Sequence, residues 1–508
     1  MADKVLFIYP KFPVYLKSSI PVSFLHLGTF LRSKGYSVVL IDCIMEPDYM
    51  DLIAREAGDC LCIGISCMTS QIPHARDLCL YIRDELKIKV PIVFGGVHPT
   101  LYPEQTIQEP YIDYIVMGEG EISFLKLLEY LDSGENIGIH EIKGICYPDK
   151  DNNPVINSLG YEFDFREMPD IDYTLLNRNT IELYKKKDFY FPLLTSRGCP
   201  YRCAFCINVV TENVKWRALS AEKTVYEIKR INAMGFEKIW FWDENFFTSK
   251  KRLVRILELL ESDKEIRLDA WAEGRANYFR PSFLSNEILQ RMKRNGFNRM
   301  GIGFESGSQR VLDYLQKDIT VEQIKTAALE CSKVKLRISA SFMIGIPTET
   351  RDDIRKTVEI IGFISSACTL FGISGPILYR PYPGSNIYKD CLKSGWKEPK
   401  NFYEWSTYII YEWSHVPDPH RYPWIKDPYA VNLVHFFTYT LIVSFRNLIS
   451  MLKDYCTMTN KSKTFFYIAS FGLVFVSVLG KIRYKLGCYR FLIEKKIFVG
   501  RNHPNKDY

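Results

Sequence analysis

Short runs of Val, Ile, Leu and Phe punctuate the first 135 residues: VLFIY at 5–9, SVVLIDC at 37–43, CLCIGISC at 60–67, VPIVFGG at 90–96 and IDYIVMGEGE at 112–121. Helix-periodic sequence fills the gaps between them. Continuous apolar runs mark strands buried on both faces, so this region predicts a parallel sheet covered by helices, a doubly wound Rossmann-like α/β domain. Ligands of such domains bind beyond the C-terminal ends of the strands. Here those ends read Tyr9-Pro10, Ser66 to Ser70 with Thr69 inside it, Gly95-Gly96-Val97-His98-Pro99-Thr100 and Gly118-Glu119-Gly120-Glu121. They are small and polar enough for backbone to approach a cofactor. No G-x-G-x-x-G separates the first strand from its helix, which disfavours a dinucleotide.

A Pro- and Asp-rich stretch at 147–172 predicts a linker, taken as 147–190, after a first domain of 1–146. From 191 the alternation resumes: FPLLTSRG, a helix at about 221–234, KIWFWDENF, LDAWAEGRA, RMGIGFESG, LRISASFMIGIP and ISGPILYRPYP. Six such units predict a partial (β/α)6 barrel over 191–390, with function at the C-terminal ends of its strands. Beyond 390 a mostly helical domain is expected, 391–508, in which four of the eight Trp fall between 396 and 424 and apolar, basic sequence follows.

A length of 508 residues accommodates two or three such cores. With 47% hydrophobic and 25% charged residues the composition is globular, which excludes a disordered, collagen-like or multi-span membrane protein. The formal net charge is +7, yet residues 446–508 hold 12 Lys and Arg against 3 Asp and Glu, and residues 1–445 hold 54 against 56. The body is near neutral, so no nucleic-acid partner is expected. Fourteen cysteines are too sparse for a disulfide scaffold, and the chain opens directly on a strand pattern; a reducing cytoplasm is the expected compartment. Cys60, Cys62, Cys67 and Cys79 sit singly in apolar runs, as small buried hydrophobes do.

One cluster departs from that pattern. Residues 195–206 read Thr-Ser-Arg-Gly-Cys199-Pro-Tyr-Arg-Cys203-Ala-Phe-Cys206, three thiols in a C-x3-C-x2-C loop directly after a strand. Thiolates are the natural ligands of iron–sulfur clusters, and three of them on a four-iron cube leave one iron open for chemistry. Zinc would require a fourth Cys or His, and none lies close by in the sequence.

This loop after the first strand of a barrel, with Phe205 just before its last Cys, resembles the radical S-adenosylmethionine (SAM) superfamily. The resemblance implies that Cys199, Cys203 and Cys206 are the catalytic triad holding a 4Fe-4S cluster. SAM would chelate the open iron, and an external electron donor such as flavodoxin or ferredoxin would drive its cleavage to a 5′-deoxyadenosyl radical. Roles then follow by position. Asp243, Glu244 and Asn245 at the end of the second strand match the segment that receives SAM's ammonium. Arg275 at the third strand and Glu305 and Ser306 at the fourth match positions touching its carboxylate and ribose. Gly345 in MIGIPTE matches the strand along adenine.

A doubly wound domain ahead of such a barrel resembles the cobalamin-binding (B12) subgroup, over roughly residues 1–390, and GGVHPT followed by MGEGE reads as those domains do. The resemblance makes Tyr9, Thr69, Gly96, His98, Gly118 and Glu119 cobalamin contacts. The D-x-H-x-x-G of methionine-synthase type, whose His ligates cobalt, is missing; the chain reads YPKFPVYLKS there. His98 is therefore taken as a cofactor contact and not as a cobalt ligand, the alternative being a domain that holds no cofactor. Cobalamin and SAM would have to share one cavity. The RPYPGSNIY segment most resembles the group that includes the anaerobic magnesium-protoporphyrin IX monomethyl ester cyclase and B12-dependent radical SAM methyltransferases. That implies methyl transfer to an unactivated carbon of an apolar or ring-containing small molecule. The alternative is an oxidative cyclase or C–C bond-forming enzyme with cobalamin as redox partner. A non-enzymatic sensor and a tRNA methylthiotransferase fit less well, the latter because the upstream cysteines lie within strand and helix patterns.

Segments 429–445 and 464–480 each run 17 residues without a charge, ~25 Å as helices against a ~30 Å hydrocarbon core. The first carries Asn432 and His435 and predicts a buried or interfacial helix. The second is flanked by Lys461, Lys463, Lys481, Arg483 and Lys485, and reads either as peripheral membrane contact or as a core helix with a solvated edge. The aromatic cluster at 396–424 reads as packing over the barrel mouth or as a roof over substrate.

Overall fold

The computed structural model describes residues 3–12, 20–133, 138–160, 163–211, 215–410 and 417–437, with 447, 449–450, 452–453, 478, 482 and 486 beyond them. The chain divides into two compact units, residues 1–186 with 398–413, and residues 187–397 with 414–508.

The first unit is built on strands β1 (Lys4–Tyr9), β2 (Ser37–Asp42), β3 (Cys62–Ser66), β4 (Ile92–Gly95), β5 (Tyr114–Val116), β6 (Ile145–Pro148) and β7 (Pro154–Ile156). Their spatial order is β2-β1-β3-β4-β5-β6-β7. The first five are parallel, and β6 and β7 add on antiparallel. Val5 to Ile8 are fully buried, as a central strand covered on both faces demands. The Phe7 ring stacks on Phe24 at 4.4 Å and meets Phe124 edge-on at 5.6 Å. Its neighbour Gly64 carries no Cβ because one would lie 2.6 Å from the Phe7 ring.

The six-stranded sheet of the second unit runs β8 (Phe191–Leu193), β11 (Lys238–Phe241), β12 (Asp269–Gly274), β13 (Phe297–Glu305), β14 (Arg337–Ile344) and β15 (Leu370–Leu378). Every neighbouring pair is parallel and in chain order, the arrangement of a partial barrel. A short antiparallel pair, β9 (Ser196–Arg197) and β10 (Arg217–Ala218), brackets the cysteine loop. The intervening helices start on side-chain caps: Ser220 accepts from Lys223 N for Ala221–Ala233, and Thr320 forms a capping box with Gln323 for Val321–Lys333.

Three boundaries differ from the sequence reading. The stretch expected to be a linker supplies β6 and β7, and Asp172, expected there as loop, pairs with Arg32 at 2.7 Å inside the first unit. Proline at strand ends and the Asp149–Asn153 turn punctuate the β6–β7 hairpin that ends the sheet there, not a connector. The region 391–508 is not one domain: the helix Phe402–Ile410 belongs to the first unit and the helix Pro428–Phe437 to the second. Residues 430–434 of the latter are buried, as expected of a buried helix, and Asn447 holds the following chain by accepting from Leu370 N and donating to Ser365 O and Cys368 O. Among the described residues no helix is long and apolar enough to cross a membrane; segment 464–480 lies outside them except for Val478.

Candidate active site

The cysteine loop leaves β9 through Gly198, whose φ of +81° turns the chain at no steric cost. Cys206 N donates to Cys203 O at 3.0 Å, and Ala204 N donates to Leu315 O at 2.9 Å, so the loop is tied to the segment after β13. Cys203 is buried, and Cys199 and Cys206 keep partial exposure. Burial pushes the Cys206 thiol up to about 11, the neighbouring thiols of Cys203 and Cys199 add to this, and Lys317 opposes it.

Polar groups from three strand ends reach this loop. Arg275, after β12, places Nη1 3.3 Å from Cys203 Sγ, donates through Nη2 to Lys317 O, and lays its guanidinium 3.6 Å from the Tyr201 ring centroid. Its Nε is buried and makes no hydrogen bond. Asn245, after β11, donates to Tyr278 OH at 2.7 Å and lies 3.7 Å from Cys199 Sγ, while its Oδ1 is buried and unbonded. Glu305 closes β13 at φ +63°, a costly conformation for a residue with a Cβ. It pairs with Lys317 at 2.7 Å, both side chains only 8% exposed, and Lys317 Nζ stands 5.6 Å from the Phe205 ring. Glu244 is exposed at the end of β11.

The other expected SAM contacts are engaged elsewhere. Asp243 is turned away from the thiols and accepts from Thr195 N at 2.6 Å, Thr195 Oγ1 at 2.7 Å and Ser196 Oγ at 2.6 Å. It is a brace for the strand that delivers the cysteine loop, and burial raises its pKa despite nearby Arg252 and these bonds. Ser306 is fully buried, with Oγ 3.1 Å from Thr357 Oγ1. Gly345, at φ +72°, donates to Glu349 Oε2 and accepts from Trp424 Nε1 at 2.8 Å, under Leu378 and Ile425. Sequence position alone does not say which way a strand-end side chain turns. Lys317, in the loop after the helix Gln309–Tyr314, and Tyr278, at the end of a short 3-10 turn, carry no motif; Tyr201 sits inside the triad loop.

The donor set fits an iron–sulfur cube. Among the described residues no three His, Cys, Asp or Glu side chains converge as ligands of a single ion do. A cube presents its irons at separate corners, so a loop of three thiols serves it without such convergence. Donors of Arg275 and Asn245 beside two of the sulfurs suit thiolates carrying negative charge.

In the first unit the strand ends are shaped for close approach. Gly96 has φ +97°, and a Cβ there would lie 3.0 Å from Cys67 N and Ser66 Oγ. Gly118, at φ +72°, donates its N–H to Thr100 Oγ1. Met68 and Val97, beside Thr69 and Gly96, expose apolar side chains at 40% and 41%. Such a rim suits a large flat cofactor. His98, expected to touch one, is fully buried: Nδ1 and Thr69 Oγ1 share a hydrogen bond at 3.1 Å, and the ring packs against Tyr102, Phe402 and Trp405. Burial pushes its pKa down to about 3, so it is a neutral packing residue. Tyr9 is 6% exposed, with its ring against Phe12 and Phe24, and Glu119 is partly exposed after Gly118.

The aromatic cluster at 396–424 divides. Trp405 packs on Tyr102 at 4.2 Å in the first unit, while Trp396 and Trp424 meet edge-on at 6.1 Å in the second; Trp413 lies outside the described residues.

Comparison with known proteins agrees with this anatomy. Residues 193–361 match the radical SAM superfamily, and residues 16–128 match the B12 binding domain. An uncharacterized methyltransferase of Pyrococcus horikoshii is 29% identical over 418 residues, 80% of this chain and 86% of the relative. The anaerobic magnesium-protoporphyrin IX monomethyl ester cyclase of Rubrivivax gelatinosus is 25% identical over 407 residues, 76% of this chain and 70% of the relative. The cobalamin-dependent SAM radical enzyme OxsB, solved with aqua-cobalamin and SAM, superposes with a TM-score of 0.68 at 19% identity, covering 100% of this chain and 82% of that one. That likeness is one of fold.

Proposed function

The chain belongs to the radical SAM superfamily and carries a B12 binding domain ahead of its radical SAM domain, and from that premise we propose a cobalamin-dependent methyltransferase acting on a small apolar or ring-containing substrate. The observation that carries the reading is the three-thiol loop with Arg275 and Asn245 beside it. When bound, the cluster with SAM supplies one-electron cleavage of SAM, and cobalamin supplies a carrier for the methyl group. Cys199, Cys203 and Cys206 hold the cluster, and Arg275 and Asn245 offset negative charge on the thiolates. The Glu305–Lys317 pair fixes the floor under Phe205. Asp243 acts as a positioning residue, through Thr195 and Ser196. In the first unit Gly96 and Gly118 admit cobalamin close to backbone, and Met68 and Val97 supply apolar contact. The electron comes from an external donor of flavodoxin or ferredoxin type.

Relatives support both methyl transfer and cyclisation, since one is a methyltransferase and another a cyclase by name. Product analysis separates the two. Anaerobic turnover that yields S-adenosylhomocysteine together with 5′-deoxyadenosine supports methyl transfer. 5′-Deoxyadenosine alone, with cobalamin bound, supports cyclisation and overturns the proposal.

A further inference from the structure

The cysteine loop hangs from a short neck. Its two ends, β9 and β10, pair only through Arg197 with Arg217 and Ser196 with Ala218, and Leu219 N adds a bond to Thr195 O at 2.9 Å. A two-stranded ladder of this length is marginal in water by itself. All three thiols lie between these ends, at residues 199–206, so whatever fixes the neck fixes where they stand.

The segment after β11 grips the neck from two sides. Asp243, near its start, accepts from Thr195 N and Thr195 Oγ1. Arg252 lies in the first turn of the helix Lys250–Ser262, which Ser249 caps by accepting from Arg252 N. Its guanidinium reaches both ends of the loop: Nε donates to Leu219 O at 2.8 Å, and Nη2 donates to Thr195 Oγ1 at 2.8 Å and lies 3.4 Å from Thr195 O. Nη2 also stands 2.8 Å from Thr224 Oγ1, on the helix Ala221–Ala233 that follows β10. Phe246 and Trp216 flank the guanidinium, with ring centroids 5.4 and 5.9 Å away.

Thr195 is thereby held between opposite charges. Its hydroxyl hydrogen goes to the Asp243 carboxylate, and a lone pair of the same oxygen takes the Arg252 N–H. Asp243 bonds to the chain on the β9 side. Arg252 bonds to it on both sides, a bridge that needs the planar fork of a guanidinium and that a lysine's compact ammonium does not reproduce.

We propose that Arg252 is a positioning residue for the cluster, acting through Thr195 and Leu219: by closing the neck it fixes the thiolates in one arrangement and slows the loss of iron. This role rests on the reading that Cys199, Cys203 and Cys206 hold a 4Fe-4S cluster, and it makes the lifetime of that cluster depend on a residue far from the cysteine motif in sequence.

The anaerobically reconstituted full-length protein is challenged with an excess of a ferrous chelator, bathophenanthroline disulfonate, and the decay of the cluster's visible absorbance is timed. Arg252→Lys keeps the charge but not the bridge, and should lose iron about tenfold faster than the wild type, the worth of one hydrogen bond to a charged group. Thr195→Val should behave alike, and Thr195→Ser, which keeps the hydroxyl, should hold iron as the wild type does. The electron paramagnetic resonance signal of the reduced cluster should broaden in Arg252→Lys as the thiolates take up more than one arrangement. Arg291→Met controls for helix stability alone: it breaks the two-pronged pair with Glu261 at the other end of the same helix and should leave iron loss unchanged. Iron loss from Arg252→Lys at the wild-type rate, an unaltered signal, or an equal rise in Arg291→Met overturns the role of Arg252. A wild type that takes up no 4Fe-4S cluster contradicts the cluster assignment instead, so the two failures are told apart.

Discussion

Arg275 Nη1 and Cys203 Sγ lie 3.3 Å apart, with the guanidinium spread over the Tyr201 ring and tied to the Lys317 carbonyl. A cation beside a cluster thiolate withdraws charge from the sulfur and stabilises the reduced state. Arg275→Met should therefore shift the cluster potential to more negative values and slow SAM cleavage about tenfold, the worth of one charge-assisted hydrogen bond. A redox titration followed by electron paramagnetic resonance checks the direction; an unchanged potential would remove Arg275 from the cluster's surroundings.

Glu305 and Lys317 form a buried pair whose value lies in its completeness. Removing one partner strands the other charge, so Lys317→Met should cost about 3 kcal/mol. Adding Glu305→Gln to it should restore most of the loss. Thermal unfolding of the two variants side by side measures this, and a double variant no more stable than the single one speaks against the pairing.

Asp243 accepts three hydrogen bonds from Thr195 and Ser196, three to four residues before Cys199. Asp243→Asn turns an amide N–H2 toward those donors, costing about 2 kcal/mol. Iron content after reconstitution should fall along with stability, while affinity for SAM in the iron-loaded fraction stays near wild type. A contact to SAM would instead move that affinity.

Much of this was legible in the sequence, and the misses share a cause. Continuous apolar runs specify buried parallel strands, and a three-thiol loop specifies its chemistry, whatever surrounds them. Direction is another matter. Asp243 and Asn245 are two residues apart at one strand end, yet one braces Thr195 and the other approaches Cys199. His98 carries the look of a ligand but is sealed beneath Phe402 and Trp405, about 300 residues away in sequence, a distance no local pattern spans.

Glu349 should make stability depend on pH. Burial raises its pKa from 4.5 to about 8, against the pull of its bonds to the Gly345 and Ile346 amides. Between these values the folded chain keeps a proton that the unfolded chain releases, so stability falls as pH rises across that window. Asp42, raised to about 7 by burial, adds a slope of the same sign. Glu349→Gln should match the wild type near the acid end of the window and exceed it at pH 8, as read by melting temperature; equal melting at both ends would contradict the protonated state.

The central claim is that Cys199, Cys203 and Cys206 hold a cluster that cleaves SAM. The direct measurement is 5′-deoxyadenosine formed under strong reductant by the anaerobically reconstituted protein and by the variant with all three cysteines replaced by alanine. The wild type should release it and the variant should release none; a variant that still cleaves SAM would contradict the assignment.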